Sequence, residues 1–349
     1  MTTLERHFRE QARYCQTWGS PLTAALLTGA ADDLAASGIT ADLLGPHRED
    51  PPGSVAALRF SGALHRLVLE RQAPELALHY PSVGGTAPVR ELWPVAERAI
   101  RENLQTLRDL VRRPVQTNEV GRSAALYGCL LMLDGPIRLL ELGASAGLNL
   151  RCDAFAYDLG AGVVLGDAHS RVRLERPWEG PYPQGPRPEI VDRLGCDPSP
   201  LDPATPDGRT TLTSYVWADQ VPRLERLRGA LAVAERVPAR VEQAGAMEFL
   251  SRELAQLPTG VTTVIWHSVV WQYVEPAEQR AVDALLERVG AAARPDTPLV
   301  RISLEPQPVG GQVSFRVHAR RWPGGQQVHV ADALGHGPPV QWTGATIRT

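Results

Sequence analysis

The residues with the clearest chemical potential form the segment Leu139–Asn149, with the letters Leu-Leu-Glu-Leu-Gly-Ala-Ser-Ala-Gly-Leu-Asn. An apolar run contains the acid Glu141, and small residues follow it. This order predicts a strand that leads into a loop, at which a nucleotide-like ligand binds beside a helix N-terminus. The same letters contain Gly143-x-Ser145-x-Gly147, which is also typical of the sharp turn that presents a nucleophilic serine in hydrolases. The two interpretations lead to different chemistry, and the surrounding elements must help to decide between them.

Composition excludes several classes of chemistry. All 36 basic residues are arginine, since the 349-residue chain contains no lysine. A Schiff-base lysine and the lysine of a P-loop are therefore missing, which excludes pyridoxal-phosphate catalysis and Walker-type ATP hydrolysis. The net charge of −3 gives no long-range attraction to nucleic acid or to anionic membranes. A small molecule is therefore the expected partner.

The cysteines indicate the compartment. Cys15, Cys129, Cys152 and Cys196 form no C-x-x-C pair and match no zinc-site spacing, so we expect buried thiols in a reducing compartment and no metal site. The N-terminus lacks the apolar stretch of a signal peptide, and no run of about 18 apolar residues predicts a membrane span. These features predict a cytoplasmic protein without a membrane partner, and they leave the oligomeric state open.

Two sequence patterns divide the chain. Residues 1–115 are predicted to form an all-helical N-terminal region, in which apolar residues recur at helical spacing from Pro88 to Val111. Residues 116–349 alternate between strand and helix patterns, which predicts an α/β domain with a parallel sheet covered on both faces. A Gly/Pro-rich stretch near 153–190 is predicted to be an insertion. The turn letters Pro323-Gly324-Gly325 predict a terminal antiparallel hairpin.

The hairpin on a parallel sheet and the segment after its first strand resemble class I S-adenosylmethionine-dependent methyltransferases. Glu141, Gly143 and Gly147 match the acid-x-Gly-x-Gly-x-Gly motif of that superfamily, and Ser145 replaces its central glycine. The resemblance implies a Rossmann-like methyltransferase sheet that binds S-adenosylmethionine along this segment, as far as Asn149. It also implies that the acid orients the ammonium group of the cofactor, directly or through water.

The resemblance further implies a second acid at the end of the second strand, which accepts hydrogen bonds from both ribose hydroxyls. Asp197 is the candidate, and it lies 56 residues after Glu141, where about 20 residues are usual in a nucleotide-binding fold. The Gly/Pro-rich insertion accounts for the excess. An acid that binds adenine often follows the third strand, but residues 244–246 at that place are Ala-Gly-Ala.

Polar residues near the predicted strand ends are candidates for catalysis and substrate binding. His267 ends the fourth strand, where a general base could take a proton from an acceptor hydroxyl or amine. The alternative is a buried histidine with a structural role. Glu119 and Tyr273 are the other catalytic candidates. The predicted substrate contacts are Asn118, Arg122, Asp219 and Gln272. For Glu119 and Asp219 the alternative is helix capping.

Three functions stay open. The first is methyl transfer from S-adenosylmethionine to a small molecule. The second is a serine esterase of the α/β-hydrolase type, in which Ser145 is followed by Asp197 or Asp202 and then by His267, His329 or His336. Against the esterase, the helical N-terminal third lacks the strands that precede a hydrolase nucleophile. The third is a methyltransferase-fold protein that binds a ligand without turnover. The sequence also resembles an uncharacterised bacterial family along nearly its whole length, which implies no activity.

Overall fold

A computed structural model describes residues 2–47, 50 and 55–347. Contacts divide the chain into two compact units, one made of Met1–Thr117 and Thr205–Glu225 and the other of Asn118–Ala204 and Arg226–Thr349. The sequence pattern assigns residues 205–225 to the second part, whereas their contacts place them in the first. The reason is tertiary, because Arg66 donates hydrogen bonds to both Asp207 and Thr211.

Twelve α-helices are present in the described residues. They are α1 (Thr3–Thr17), α2 (Pro21–Ala35), α3 (Ile39–Leu44), α4 (Ala56–Leu69), α5 (Pro74–Ala77), α6 (Leu92–Glu102), α7 (Leu104–Leu110), α8 (Ser123–Leu130), α9 (Pro206–Ser214), α10 (Val221–Ala234), α11 (Ala246–Glu253) and α12 (Pro276–Ala292). The described residues of the first unit contain helices and turns but no strand, so the predicted helical N-terminal region is confirmed. Its core contains the fully buried side chains of Phe8, Leu27, Phe60, Leu64 and Ile100.

The single helical pattern from Pro88 to Val111 corresponds to two α-helices rather than one. The helical conformation is interrupted at Asn103, whose backbone has φ −119° and ψ 23°. The side-chain amide of Asn103 donates to the carbonyl oxygen of Ala99 at 2.9 Å. Asparagine side chains compete in this way with the helical hydrogen-bond ladder, which explains why apolar spacing alone did not reveal the break.

Twelve strands are present in the described residues of the second unit. They are β1 (Pro136–Leu142), β2 (Ala156–Gly160), β3 (Val163–Gly166), β4 (Arg173–Glu175), β5 (Trp178–Glu179), β6 (Glu189–Asp197), β7 (Arg240–Gln243), β8 (Thr262–Ser268), β9 (Leu299–Val309), β10 (Gln312–Trp322), β11 (Gln327–Leu334) and β12 (Gly337–Trp342). Nine of these form one sheet in the order β5-β12-β11-β10-β9-β8-β1-β6-β7. The predicted mixed α/β architecture is therefore confirmed.

The large sheet has a parallel half and an antiparallel half. Strands β7, β6, β1, β8 and β9 pair in parallel, and β9 to β12 form an antiparallel run. β8 is buried along most of its length and is rich in β-branched residues, as expected for a parallel strand covered on both faces. The predicted hairpin is β10 with β11, and β9 extends to Val309 along β10. The insertion contributes the small sheet β3-β2-β4 and the edge strand β5.

Candidate functional site

The loop that follows β1 has an unusual backbone. Gly143, Ser145 and Gly147 have φ angles of +67°, +53° and +66°. A Cβ on Gly143 would lie 2.4 Å from a methyl group of Val270, and one on Gly147 would lie 2.8 Å from a methyl group of Val241. Glycine is therefore required at both places by conformation and by space. Ser145 has the same left-handed conformation without being glycine, which costs roughly 1–2 kcal/mol.

Asp197, at the end of β6, fixes this loop. Its Oδ2 accepts a hydrogen bond from the backbone N–H of Ser145 at 3.0 Å, and its Oδ1 accepts one from the N–H of Ser199 at 2.8 Å. The backbone N–H of Ala144 donates to the carbonyl oxygen of Cys196 at 3.0 Å. The acid predicted to bind ribose is thus brought to the predicted loop, where both of its oxygens bind backbone groups.

Glu141 is the most perturbed acid of the site. Only 3% of the residue is exposed, and burial raises the pKa of its carboxyl group to about 8, although the Arg151 charge and a hydrogen bond from Asn149 oppose this shift. Oε2 of Glu141 and Oδ1 of Asn149 are both buried acceptors without a hydrogen-bond partner among the described residues. Buried polar atoms are normally satisfied. Two neighbouring orphaned acceptors therefore indicate a place for a donor, supplied by a proton, a water molecule or a ligand.

Arg151 is a site residue that the sequence analysis missed. It is buried, its Nη1 donates to the carbonyl oxygen of Gly147 at 2.6 Å, and its Nε donates to that of Val237 at 2.6 Å. Burial lowers the pKa of Arg151 to about 10, while the nearby Glu141 charge opposes this shift. The guanidinium binds a backbone carbonyl oxygen of the loop. Its positive charge is the one that most strongly opposes the raised pKa of Glu141. An arginine within an apolar context four residues after the last loop glycine was the available signal.

The segment 118–122 also contacts the loop. Oδ1 of Asn118 accepts a hydrogen bond from the N–H of Leu148 at 2.9 Å, and the side-chain amide of Asn149 donates to the carbonyl oxygen of Glu119 at 3.3 Å. The Glu119 carboxylate accepts from the N–H of Gly121 at 3.1 Å, which is the capping interaction named as its alternative. Two predicted residues, Asn118 and Glu119, are thus brought to the predicted cofactor loop.

Arg122 anchors the same segment to the sheet. It donates from Nη1 to the carbonyl oxygen of Ser268 at 3.1 Å and from Nε to that of Gly335 at 2.9 Å. Partial burial raises the pKa of Tyr273, and the Arg122 charge opposes that shift, as it also opposes the raised pKa of Glu141. Arg122 therefore lies at the carboxyl end of β8, with electrostatic influence on both an acid and a phenol of the candidate site.

His267 is held on both sides of its ring. Its Nδ1 lies 2.8 Å from Oε1 of Glu305, and its Nε2 accepts a hydrogen bond from Nε of Arg301 at 3.1 Å. The ring stacks on Trp271 with 4.7 Å between centroids. Burial lowers the pKa of His267, which favours the neutral ring with its proton on Nδ1. Both nitrogens are occupied, so this geometry favours the structural alternative over a general base.

Arg301 completes that network and was also missed. Its guanidinium lies 4.7 Å from the centroid of the Trp271 ring and its Nη1 lies 2.6 Å from Oδ1 of Asp283. Glu305 accepts further hydrogen bonds from the backbone N–H groups of Val270 and Trp271. The network fixes the turn that follows β8, and this turn contains Gln272 and Tyr273.

Gln272 and Tyr273 lie in that turn, a 3-10 segment over Trp271–Tyr273. Tyr273 is 46% exposed, and Gln272 is also exposed. The structure thus brings a predicted catalytic residue and a predicted substrate contact together at the surface. Neither is fixed by a buried partner, which suits groups that meet a substrate.

Asp219 lies in the helical unit. Its Oδ1 accepts a hydrogen bond from the Ser20 hydroxyl at 2.5 Å, and its Oδ2 accepts one from the N–H of Leu22 at 2.9 Å, in the first turn of α2. Capping was the alternative named for Asp219, but the helix is α2 rather than the one that follows it in sequence. The geometry explains Asp219 by stability and offers no support for a substrate contact.

Residues 244–246, which follow β7, contain no acid. The carboxylate of Glu278, from α12, lies at this place instead. Its Oε1 accepts a hydrogen bond from the N–H of Met247 at 3.0 Å and lies 3.1 Å from where a Cβ on Gly245 would be. Sequence order gave no signal for this residue, because it is 31 positions from its partner. Its carboxylate caps α11 at the place where an adenine-binding acid was expected.

One protein-family model matches residues 5–342, which include most of both units. The chain belongs to that family. It is described as "Uncharacterized protein conserved in bacteria (DUF2332)". No curated protein and no solved structure matches the chain. Within the described ranges, no helix has the length and apolar character needed to span a bilayer, and no group of three or more His, Cys, Asp or Glu residues is placed to hold a metal ion.

Proposed function

We propose that this protein binds S-adenosylmethionine and transfers its methyl group to a small-molecule acceptor. The parallel strands support this, because their order β7-β6-β1-β8-β9 corresponds to 3-2-1-4-5 in a doubly wound sheet. Sequence order reverses between β1 and β8, and ligands of such sheets bind at the carboxyl ends of the strands on either side of the reversal. The loop at Gly143–Gly147 leaves β1 at this position.

The single observation that carries the proposal is the orphaned acceptor pair of Glu141 and Asn149. Oε2 of the acid and Oδ1 of the amide are buried without a partner in the described part of the chain. The amino-acid end of S-adenosylmethionine carries an ammonium group, which has several N–H donors and no acceptor. Such a group would satisfy both oxygens and would also neutralise the buried carboxylate, whose pKa of about 8 reflects the cost of leaving it charged.

The residues of the site have separate roles in this proposal. When bound, the cofactor supplies an electrophilic methyl group. Glu141 and Asn149 would hold its ammonium end, Arg151 and Asp197 keep the loop in shape, and the dry surroundings of Glu141 exclude water from that end. His267 offers no unoccupied nitrogen in this geometry, so the candidates for taking a proton from the acceptor are Glu119 and Tyr273. Tyr273 is accessible to an acceptor, and the Arg122 charge partly opposes the raised pKa of its hydroxyl.

Calorimetric titration with S-adenosylhomocysteine, with thermal unfolding in parallel, tests the proposal. We expect the wild-type protein to bind, and ligand at about 100 times its dissociation constant to add about 2.7 kcal/mol of stability. Glu141→Gln should weaken binding at least tenfold. Glu248→Gln is the matched control, because Glu248 is exposed and lies in the same unit. The proposal fails if millimolar ligand gives no binding, or if the two variants bind equally well.

A serine esterase is the second candidate, favoured by one observation. A nucleophile elbow holds its serine in a strained turn between strand and helix, and Ser145 has φ +53° directly after β1. Against this, Ser145 is only 5% exposed and His267 is occupied by Glu305 and Arg301. Labelling with a serine-directed phosphonate separates the two. We expect no adduct at Ser145, and stoichiometric labelling that disappears in Ser145→Ala would establish the esterase instead.

A ligand-binding protein without turnover is the third interpretation of the same site. It shares the Glu141 pocket with the methyltransferase and therefore predicts the same titration result. The two differ in product, because only an enzyme forms S-adenosylhomocysteine from S-adenosylmethionine when acceptors are supplied. Binding that depends on Glu141, with no product from any acceptor in a broad panel of small hydroxyl and amine compounds, would favour the binder.

A further inference from the structure

The helical unit contains a groove of its own, with a volume of about 880 Å³. It is lined by residues of α1, of the first half of α2 and of the segment Val89–Trp93. Small-molecule pockets usually measure roughly 300–1,000 Å³, so the groove is large enough for a ligand the size of a nucleotide. All of its lining residues belong to one unit.

Arginines dominate the polar lining. Arg6, Arg9 and Arg13 recur along one side of α1, over about 10 Å of helix at 1.5 Å per residue, and Arg90 lines the groove from another segment. The lining includes no acidic residue among the described positions. Arg6 and Arg13 are exposed and form no ion pair with another described residue. Two guanidinium groups are thus available to an anion.

Arg9 is held in place between them. Its Nη2 lies 3.1 Å from Oε1 of Glu5 and 2.9 Å from Oδ1 of Asp32, and these carboxylates raise its pKa. Two acids on separate helices therefore fix this guanidinium at the groove. A site with one oriented cation and two available cations needs less ordering when an anion binds.

Apart from Gln16 and Thr28, the rest of the lining is apolar and includes one large aromatic ring. Small residues such as Ala12, Ala24 and Ala25 leave room between α1 and α2. Trp93 packs closely on α2, since a Cβ on Gly29 would lie 2.5 Å from the indole ring. The glycine thus admits the indole at the groove, where it provides a flat surface of the kind on which planar rings stack.

We propose that this groove binds a nucleoside diphosphate. Guanidinium groups match phosphate oxygens with paired hydrogen bonds, and the row on α1 offers such groups on successive turns. The apolar part of the lining and Trp93 would take the base. A polymeric nucleic acid is disfavoured, because the net charge of the chain is −3 and polymer binding depends on a broad excess of positive charge.

Titration of the full chain with ADP at low salt tests the proposal. The groove variant is Arg6→Gln with Arg13→Gln, and both residues are exposed, so folding should be preserved. The control variant is Arg98→Gln with Arg112→Gln, which removes two exposed arginines of the same unit that do not line the groove. We expect the groove variant to bind ADP at least tenfold more weakly than wild type, and the control to stay within twofold.

Three results would show that the groove does not bind ADP. They are no heat of binding with millimolar ADP, equal weakening in the two double variants, and displacement of ADP by S-adenosylhomocysteine, which would assign the nucleotide to the Glu141 site. Pyrophosphate tests the base contact. Binding at least tenfold weaker than ADP supports a nucleoside ligand, and equal binding refutes it. Because the groove variant leaves Glu141 unchanged, failure here is distinguishable from failure of the methyltransferase proposal.

Discussion

The buried carboxyl group of Glu141 predicts how stability changes with pH. Burial raises its pKa from 4.5 to about 8 in the folded protein. Between these two values the unfolded chain releases the proton while the folded protein keeps it. Stability from this residue is therefore fully present below pH 4.5 and is lost as pH rises through 8. Glu141→Gln keeps the shape of the side chain and cannot ionise, so it should remove this dependence.

The size of the effect follows from the shift. One unit of pKa corresponds to about 1.4 kcal/mol, so the full loss is about 5 kcal/mol. The slope is about 1.4 kcal/mol per pH unit inside the window. Between about pH 5.5 and 8 we therefore expect the wild-type protein to lose about 3 kcal/mol relative to Glu141→Gln. Below pH 4.5 the two proteins should be closest in stability, because Glu141 is then largely protonated in both the folded and the unfolded chain.

Urea unfolding at several pH values across this window measures the difference. Glu248→Gln again serves as the control, and its curve should run parallel to that of the wild-type protein. Parallel curves for Glu141→Gln and the wild-type protein would refute the reasoning, because they would mean that Glu141 titrates normally. Saturating S-adenosylmethionine should flatten the wild-type curve, since a ligand ammonium group stabilises the ionised carboxylate.

Three further predictions concern stability. Gly147→Ala should destabilise the protein by about 1–3 kcal/mol more than Gly260→Ala in urea unfolding, because overpacking adds a cost of that size. Both glycines have positive φ, but only Gly147 has a Val241 methyl group within 2.8 Å of the new Cβ, and equal losses would contradict the crowding argument. Ser145→Gly should be neutral or raise the melting temperature, because it relieves a left-handed residue, and a drop of several degrees would show that the hydroxyl matters more. Asp219→Asn should cost about 1–2 kcal/mol through weaker capping of α2, checked by thermal unfolding, with no change in S-adenosylhomocysteine affinity.

The sequence predicted most of the parallel sheet because its signals are local. β8 contains four consecutive β-branched residues, Thr262 to Ile265, and the small residues after β1 predicted a loop, which requires glycine at Gly143 and Gly147. Binary pattern and turn chemistry are sufficient for such elements. The candidate loop was therefore located correctly within the fold, while its ligand stays a prediction.

The polar contacts could not be predicted in the same way. Arg151, Glu278 and Arg301 act on residues that only the tertiary fold brings close, and a charged side chain in a sequence gives no sign of its partner. His267 shows the limit most clearly, since its position at a strand end suggested a base while Arg301 occupies its Nε2. Residues 205–225 contact the helical unit through partners that are likewise distant in sequence.

The return of residues 205–225 to the helical unit has a consequence for synthesis. A ribosome makes the first 117 residues long before it makes Asp219, which caps α2, and Ser214, whose carbonyl oxygen binds the buried ring of His65. The first two strands of the parallel sheet, β1 and β6, are therefore synthesised before the helical unit has all the residues of its core. An expressed fragment that ends at Thr117 would lack these partners. To isolate the helical unit, residues 205–225 should be joined to that fragment through a short linker.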